Sequence, residues 1–206
     1  AVLDLPAEYY LDTVKAVFQE FALPKGRMFI REELVRPRAI RETALLSIDL
    51  QNCFVAGSEP RGEQVLARVN GLARVCRAAG LPVVHVRHAL ASPDRSGVLG
   101  EIFPGVEDLL DRDSETAALH PDLDVDERDL LVEKPHFGAF HGTDLEARLR
   151  ALAVDTVIVA GIETNVCCET TAREAMVRDF RVLFLSDGTT TGGVPGLTVD
   201  EVQRAS

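Results

Sequence analysis

The stretch VIVAGIETNVCCETTAREA, residues 157–175, joins an apolar, strand-like run to a helix-like pattern and decides the fold class. The apolar run ends at Gly161, and a turn bearing Thr and Asn follows, as is typical of a strand-to-helix crossing in an α/β protein. We expect the helix to begin near Thr164 or Asn165. Cys167 then falls in the first helical turn, where unpaired N–H groups and the helix dipole favour thiolate over thiol. The sequence therefore predicts that Cys167 is a nucleophile.

Strand-like and helix-like segments alternate from residue 43 onward, which indicates a mostly parallel sheet covered by helices. The predicted strands are TALLSIDL (43–50), PVVHVRH (82–88), DLLVEK (129–134), DTVIVAG (155–161) and RVLFLSD (181–187). Besides the helix that carries Cys167, helices are predicted in GEQVLARVNGLARVCRAAG (62–80) and in TDLEARLRALA (143–153), with Thr143 as N-cap. We predict a three-layer α/β/α, Rossmann-like fold.

Length and charge exclude some classes of protein. A chain of 206 residues is one domain, or one domain with an appendage. A formal net charge of -11 argues against a nucleic-acid partner, because that affinity depends on clustered Lys and Arg. The acidic residues concentrate in 107–129, which we interpret as a solvated surface excursion. No run is long enough to span a membrane and the start lacks a signal-peptide pattern, so we predict a cytoplasmic protein.

Three residues with useful chemistry fall at the ends of predicted strands: Asp49, Lys134 and Cys167. The carboxyl ends of parallel strands meet at one edge of a sheet, where ligands bind in folds of this kind. Asp49 is suited to accept the thiol proton and return it to a leaving group. Lys134 is suited to stabilise the thiolate and to lower the pKa values of both acidic groups. Taken singly, a turn-forming Asp, a surface Lys or a buried structural Cys would be the commoner interpretation.

The remaining cysteines and the histidines offer no metal or redox motif. Four cysteines without C-x-x-C spacing predict free thiols, and Cys53, Cys76 and Cys168 are interpreted as packing residues. His85 and His88 lie three apart on a strand, which places their rings on opposite faces. His120, His136 and His141 lack ligand spacing as well. We therefore predict neither a metal nor a cofactor.

Three motifs, ALLSIDLQNCF, VEKPHFGAFHGTDLEARLR and VIVAGIETNVCCETTAREA, resemble the isochorismatase-like cysteine hydrolases in content and order. That superfamily includes N-carbamoylsarcosine amidase, nicotinamidase and ureidoacrylate amidohydrolase, and the resemblance spans 43–206. It implies that Asp49, Lys134 and Cys167 are catalytic. It also implies a cis peptide bond between Ile162 and Glu163, and an oxyanion hole made by the backbone N–H groups of Glu163 and Cys167.

The reaction implied by this resemblance is hydrolysis of a C–N bond through a thioester. Family members that cleave the vinyl ether of isochorismate lack the nucleophilic cysteine, so its presence favours an amidase. Two alternatives stay open: an isochorismatase-type vinyl ether hydrolase, and a non-catalytic module that binds a small ligand or a partner. Members of the family that bind zinc add an aspartate and paired histidines, which this sequence does not show in the expected region.

Six residues near these motifs are predicted to contact the substrate: Gln51, Asn52, Phe54, Phe137, Phe140 and Asn165. Their mixture of amide and aromatic side chains suits a small, planar amide or ureide. The motifs FHGTDLE and GIETNVC are most similar to the branch that hydrolyses ureidoacrylate, carbamoyl compounds and biuret. The resemblance also implies a homo-oligomer, a dimer or a tetramer.

Both ends of the chain depart from the family pattern. Residues 1–42 resemble a piece of intracellular polyhydroxyalkanoate depolymerases, without the G-x-S-x-G elbow of a serine hydrolase. Within them, residues 8–22 predict an amphipathic helix. At the other end, residues 196–206 predict a helix of one or two turns, which suggests a hydrolase domain (43–206) shortened at its C-terminus.

Overall fold

The computed structural model describes residues 29–30, 33–34, 42–92, 96–192 and 196–206. The chain divides into two units, Ala1–Arg41 and Glu42–Ser206. In the first unit, the strand Phe29–Ile30 (β1) pairs antiparallel with Glu33–Leu34 (β2). The amphipathic helix predicted at 8–22 lies outside the described residues.

A five-stranded sheet organises the second unit. Its strands are Thr43–Ile48 (β3), Val83–His88 (β4), Leu130–Lys134 (β5), Thr156–Ile162 (β6) and Arg181–Thr190 (β7). They lie in the order β5-β4-β3-β6-β7, and every pairing is parallel. The predicted α/β class is confirmed, and the sheet is entirely rather than mostly parallel.

The helices cover both faces of this sheet. Their bounds are Asn52–Gly57 (α1), Arg61–Ala78 (α2), Val98–Ile102 (α3), Val106–Leu109 (α4), Leu145–Ala151 (α5), Glu169–Met176 (α6) and Val199–Ala205 (α7), with a π-helical turn at Thr164–Cys168 before α6. In the central strand β3, Leu46 packs in the core under α5 and α6, while Leu45 packs in the core under α2. A strand buried on both faces is continuously apolar, which explains the run TALLSI.

Two local predictions need correction. Helix α5 begins after Asp144, one residue later than expected, because the Thr143 hydroxyl donates to the Ala139 carbonyl at 2.6 Å. Its oxygen still accepts the Leu145 N–H at 3.3 Å. The acidic stretch 107–129 is only partly a solvated excursion, since Ala117 is fully buried and Leu110 packs in a small apolar cluster.

Among the described residues, no helix is both long and apolar enough to cross a membrane.

Candidate active site

The structure brings the three predicted catalytic residues together at the carboxyl ends of three strands. Asp49 directly follows β3, Lys134 is the last residue of β5, and Cys167 lies in the π-helical turn after β6. The Lys134 Nζ lies 2.8 Å from Asp49 Oδ2 and 3.5 Å from Cys167 Sγ. It also donates to the His136 carbonyl at 2.9 Å. Two hydrogen bonds and one ion pair therefore surround the ammonium and hold the nitrogen in one place.

The backbone around Asp49 is held by the neighbouring strand. Asp49 has a φ of 51°, a left-handed conformation that Asp tolerates better than most residues. Its N–H donates to the Val86 carbonyl at 2.8 Å. Two residues on, the Gln51 amide accepts the His88 N–H at 2.7 Å and donates to the His88 carbonyl at 3.0 Å. These bonds tie the end of β3 to the end of β4 and so orient the carboxylate.

Gly161 allows β6 to approach β3 closely just before the nucleophile. Its φ is 131°, and a Cβ at this position would lie 2.0 Å from the Ile48 carbonyl oxygen. One residue further on, the peptide bond Ile162–Glu163 is cis. The Glu163 carbonyl then accepts the N–H groups of Val166 and Cys168, at 3.3 and 3.0 Å. The predicted helix start at Thr164 is confirmed, although its first turn is a π-turn.

Burial dominates the electrostatics of the three groups. It raises the pKa of the Cys167 thiol above its usual range, although Lys134 acts in the opposite direction. It also raises the pKa of Asp49 despite the neighbouring lysine. Burial lowers the pKa of Lys134, but the charges of Asp49 and Cys167 outweigh it and the net shift is upward. Lys134 lowers both pKa values as predicted, but the net shifts of the thiol and the carboxyl are upward, because the cost of desolvating each anion exceeds the attraction to the ammonium.

His88 joins this site, although the sequence analysis considered it only as a metal ligand. It is the last residue of β4 and is 2% exposed. Its Nε2 has no hydrogen-bond partner among the described residues. Burial, followed by the charge of Lys134, lowers the pKa of His88 to about 3, so the ring is neutral at physiological pH. The strand-end rule that selected Asp49 and Lys134 also applies to His88 and would have identified it.

His85 faces away from this site, as the alternation along β4 predicted. Its Nε2 lies 3.1 Å from the Asp129 carboxylate, in a cluster that also contains Arg77.

A cavity of about 420 Å³ opens onto the Cys167 thiol. Its polar lining residues are His88, Glu163 and Cys167. The rest of its wall is apolar or glycine, and is formed by Phe54, Leu99, Phe103, Pro104, Gly105, Val106, Leu109, Leu110, Phe137 and Val166. Much of that wall comes from α3, α4 and the turn between them, which the sequence analysis did not connect with the site.

The aromatic residues predicted to contact the substrate divide into two groups. Phe54 and Phe137 line the cavity, and the Phe137 ring meets the His88 ring edge-on with 6.4 Å between centroids. Phe140 instead lies in the core, 5.7 Å from the Phe180 ring. Phe140 is therefore not proposed to contact the substrate.

The predicted amide residues have other partners or lie beside the nucleophile. Gln51 is fully buried, and besides His88 it binds the Ala117 carbonyl at 2.8 Å. Asn52 begins α1 and donates to the Glu115 carbonyl at 2.8 Å. Both side chains therefore bind backbone groups and stabilise the fold around the site. Asn165 lies within the π-turn, and its Oδ1 is buried with no hydrogen-bond partner in the described part of the chain.

Asp49, His88 and Cys167 together form a donor set that zinc accepts, with ligand atoms within 4.8 Å of one another. The ammonium of Lys134 already contacts both Asp49 and Cys167. A divalent cation would have to displace that ammonium, so the mechanism proposed for this site uses Lys134 as its cation. The absence of a metal stays a prediction.

The fold and site together define a parallel α/β protein with a cysteine at the centre of its candidate active site, and comparison with known proteins identifies the family. Residues 43–200 match the isochorismatase domain family. The chain belongs to this family. Residues 1–67 match a second family, described as PHB de-polymerase C-terminus, in agreement with the resemblance noted for the first forty residues.

Individual relatives agree with the family assignment. The chain is 40% identical to nicotinamidase 3 of Arabidopsis thaliana over 149 residues, covering 72% of this chain and 73% of the relative. It is 30% identical to a ureidoacrylate amidohydrolase of Methylobacterium radiotolerans over 179 residues, covering 75% and 69%. The crystal structure of a cysteine hydrolase from Pseudomonas syringae pv. phaseolicola superposes with a TM-score of 0.74 at 32% identity, covering 83% of this chain and 84% of that one.

Proposed function

We propose that this protein is a cysteine-dependent amidohydrolase that cleaves a C–N bond of a small amide through a thioester. The observation that carries this proposal is the placement of Cys167 Sγ, at the wall of a cavity and 3.5 Å from the Lys134 ammonium, with the Asp49 carboxylate within 4.8 Å. A nucleophile, a base and a cation in mutual contact are the components of covalent acyl transfer. The names of two relatives, a nicotinamidase and a ureidoacrylate amidohydrolase, support the same reaction class.

In the first half-reaction, Asp49 accepts the Cys167 proton while the sulfur attacks the amide carbonyl carbon. The raised pKa of Asp49 makes its carboxylate a stronger base than an ordinary one. Because the thiol pKa is also raised, the thiolate forms during attack rather than resting in the free enzyme. Lys134 stabilises the negative charge as it passes between oxygen and sulfur.

The tetrahedral intermediate then needs donors for its oxyanion, and we assign the backbone N–H groups of Glu163 and Cys167 to this role. The Glu163 N–H group is close enough to the Cys167 sulfur to lower the pKa of the thiol. Each well-placed donor of this kind contributes about 3 kcal/mol to transition-state stabilisation.

Collapse of the intermediate breaks the C–N bond, and Asp49 returns its proton to the departing nitrogen as ammonia or an amine. Water then attacks the thioester carbonyl, with Asp49 accepting a proton from the water. As this second intermediate collapses, the carbon–sulfur bond breaks and Asp49 returns the proton to the sulfur, which releases the carboxylic acid and restores the thiol. Asp49 thus acts as a base and an acid in turn, which a carboxyl group with a raised pKa can do near neutral pH.

The proposal is tested with the variants Cys167→Ala and Cys168→Ala, both at buried cysteines of the same turn. Ammonia release is measured with a panel of primary amides, ureides and carbamoyl amino acids. We expect Cys167→Ala to lose at least ~10³-fold in kcat/KM, as when a covalent nucleophile is removed, and Cys168→Ala to keep most of the activity.

Two outcomes would support the alternatives instead. No release from any compound by the wild-type protein would favour a binding module. Full activity of Cys167→Ser, together with turnover of isochorismate, would favour vinyl ether hydrolysis without the thiol.

A further inference from the structure

The wall of the cavity has a large apolar part and a polar end. Leu99, Phe103, Val106 and Leu110 belong to α3, α4 and their flanks, and with Phe54 they form an apolar surface facing the thiol. The polar lining residues, His88, Glu163 and Cys167, come from the carboxyl ends of β4 and β6 and the turn that follows. Among the described lining residues, the side chains that can hydrogen-bond a ligand therefore lie at the end where the reaction takes place.

The size of the cavity limits the ligand. At about 30 Å³ for each water-sized group, the cavity of about 420 Å³ holds roughly a dozen non-hydrogen atoms. An amide group fills only three of these positions. The remaining volume lies against apolar side chains. An apolar group that fills this volume removes those side chains from water, which is favourable.

The charges around the cavity disfavour an acidic ligand. No lysine or arginine is among the described lining residues. Lys134 does not line the cavity, and its ammonium already contacts Asp49, Cys167 and the His136 carbonyl. Glu163 lines the cavity, but its carboxylate accepts the Thr191 hydroxyl at 3.2 Å, and Thr191 is not among the lining residues. A ligand carboxylate would therefore lose its hydration without gaining a cation.

We infer that the substrate is a neutral amide that carries an apolar substituent, aliphatic or aromatic, with about a dozen non-hydrogen atoms in all. This inference rests on the proposed function, since it names the substrate of the same thiol. It replaces the polar ureide favoured by the sequence with a ligand whose amide lies at Cys167 and whose apolar group packs against Phe103, Val106 and Leu110. Neutral His88, which lines the cavity and whose Nε2 has no hydrogen-bond partner among the described residues, is then available to hydrogen-bond the amide.

The direct test compares hexanamide with adipamate, which is the same chain ending in a carboxylate. We expect kcat/KM for hexanamide to be at least ~100-fold higher, because a buried, unpaired charge is costly. Equal or faster Cys167-dependent hydrolysis of adipamate would overturn the inference while leaving the proposed amidohydrolase intact.

A matched pair of variants at the end of α3 tests the cavity wall. Phe103 lines the cavity, whereas the neighbouring Ile102 is similarly exposed but lies outside its wall. We expect Phe103→Ala to raise KM for hexanamide about tenfold, through loss of buried apolar area, and Ile102→Ala to change it less than twofold. Equal effects of the two variants would contradict the assignment of the wall.

Binding separates failure of the inference from failure of the proposed function. Phenylacetamide is titrated calorimetrically into Cys167→Ala, which retains the cavity but not the nucleophile. Binding that is weakened by adding Phe103→Ala supports the inference even if the wild-type protein hydrolyses no amide, in which case the proposed function alone fails. Absence of phenylacetamide binding, or tighter binding of adipamate, would overturn the inference.

Discussion

The Lys134 ammonium nitrogen lies 2.8 Å from a carboxylate oxygen of Asp49, and both side chains are fully buried. Taking two charges out of water is expensive, and apolar residues of the same volume are often no less stable. A buried pair at the edge of a parallel sheet, beside a thiol and a cavity, is therefore better explained by chemistry than by stability. The pair also controls the thiol, since Asp49 raises the pKa of Cys167 while Lys134 lowers it.

This relationship predicts opposite effects of Asp49→Asn and Lys134→Met on the reactivity of Cys167. Removing the carboxylate leaves the ammonium free to stabilise a thiolate, so the thiol pKa falls. Iodoacetamide should then alkylate Cys167 about tenfold faster at pH 7 in Asp49→Asn, which corresponds to one pKa unit. Removing the ammonium raises the thiol pKa further and should slow alkylation. Both variants should lose amide hydrolysis.

The rate is measured by mass spectrometry of the peptide that contains Cys167, in a background of Cys53→Ser. That background is needed because Cys53 is partly exposed and borders the apolar cluster next to the cavity. Slower alkylation in Asp49→Asn than in the wild type would contradict the predicted fall of the thiol pKa, and would show that proton transfer to Asp49 outweighs the effect of its charge in the free protein.

The fold and the three central residues could be predicted from sequence because they depend on short patterns. Apolar runs of strand length define the sheet, and the carboxyl ends of parallel strands bring Asp49, Lys134 and Cys167 to one edge. Each position was identified from its own neighbours in the chain.

The pKa values and the cavity could not be predicted because they depend on residues distant in sequence. Burial of Cys167 arises from packing between separate elements, and it outweighs the effect of the helix start. The sequence position of Phe140 predicts a pocket residue, but its ring packs against Phe180. The apolar wall from α3 and α4 was missed because these short helices lie between a strand and an acidic stretch, where no clear periodicity marks them.

His88 predicts a loss of stability on mild acidification. Its pKa is lowered to about 3 in the folded protein, chiefly by burial, whereas an unfolded histidine titrates near ~6.5. The unfolded chain therefore binds the proton first, and the contribution of neutral His88 is present above pH ~6.5 and is lost as pH falls toward ~3. Between pH 7 and pH 5 this amounts to about 2 kcal/mol at ~1.4 kcal/mol per pH unit.

Between pH 7 and pH 5, the free energy of unfolding should fall by about 2 kcal/mol less in His88→Gln than in the wild type. Urea unfolding at pH 7 and pH 5 measures the difference. The His88→Gln variant should still show some pH dependence, because burial also lowers the pKa of His85. An unchanged difference between the two pH values in His88→Gln would contradict a buried, neutral imidazole.

Arg77 and Arg74 should differ sharply in their contribution to stability, although both lie on α2 and both pair with Asp124. The Arg77 Nε donates to the Asp129 carboxylate at 3.0 Å, and that carboxylate is 2% exposed. Arg77→Ala would leave a buried charge unpaired and should cost about 3 kcal/mol. Arg74→Ala removes a largely exposed pair and should cost less than ~1 kcal/mol. Similar midpoints of denaturant unfolding for the two variants would contradict this assignment.

Gly161 should be the least replaceable of the glycines in the sheet. Its φ of 131° suits glycine, and the Cβ of an alanine would lie 2.0 Å from the Ile48 carbonyl oxygen, which is backbone and cannot move aside. Gly161→Ala should therefore destabilise the fold by about 3 kcal/mol through strain and overpacking.

Gly71→Ala is the matched control, because Gly71 lies within α2 and a Cβ there meets nothing within 4 Å. That variant should gain about 0.5 kcal/mol from helix propensity. Since β6 leads directly to Cys167, Gly161→Ala should also lower kcat in the protein that remains folded, and an active, fully stable Gly161→Ala would show that the approach of β6 to β3 does not position the nucleophile.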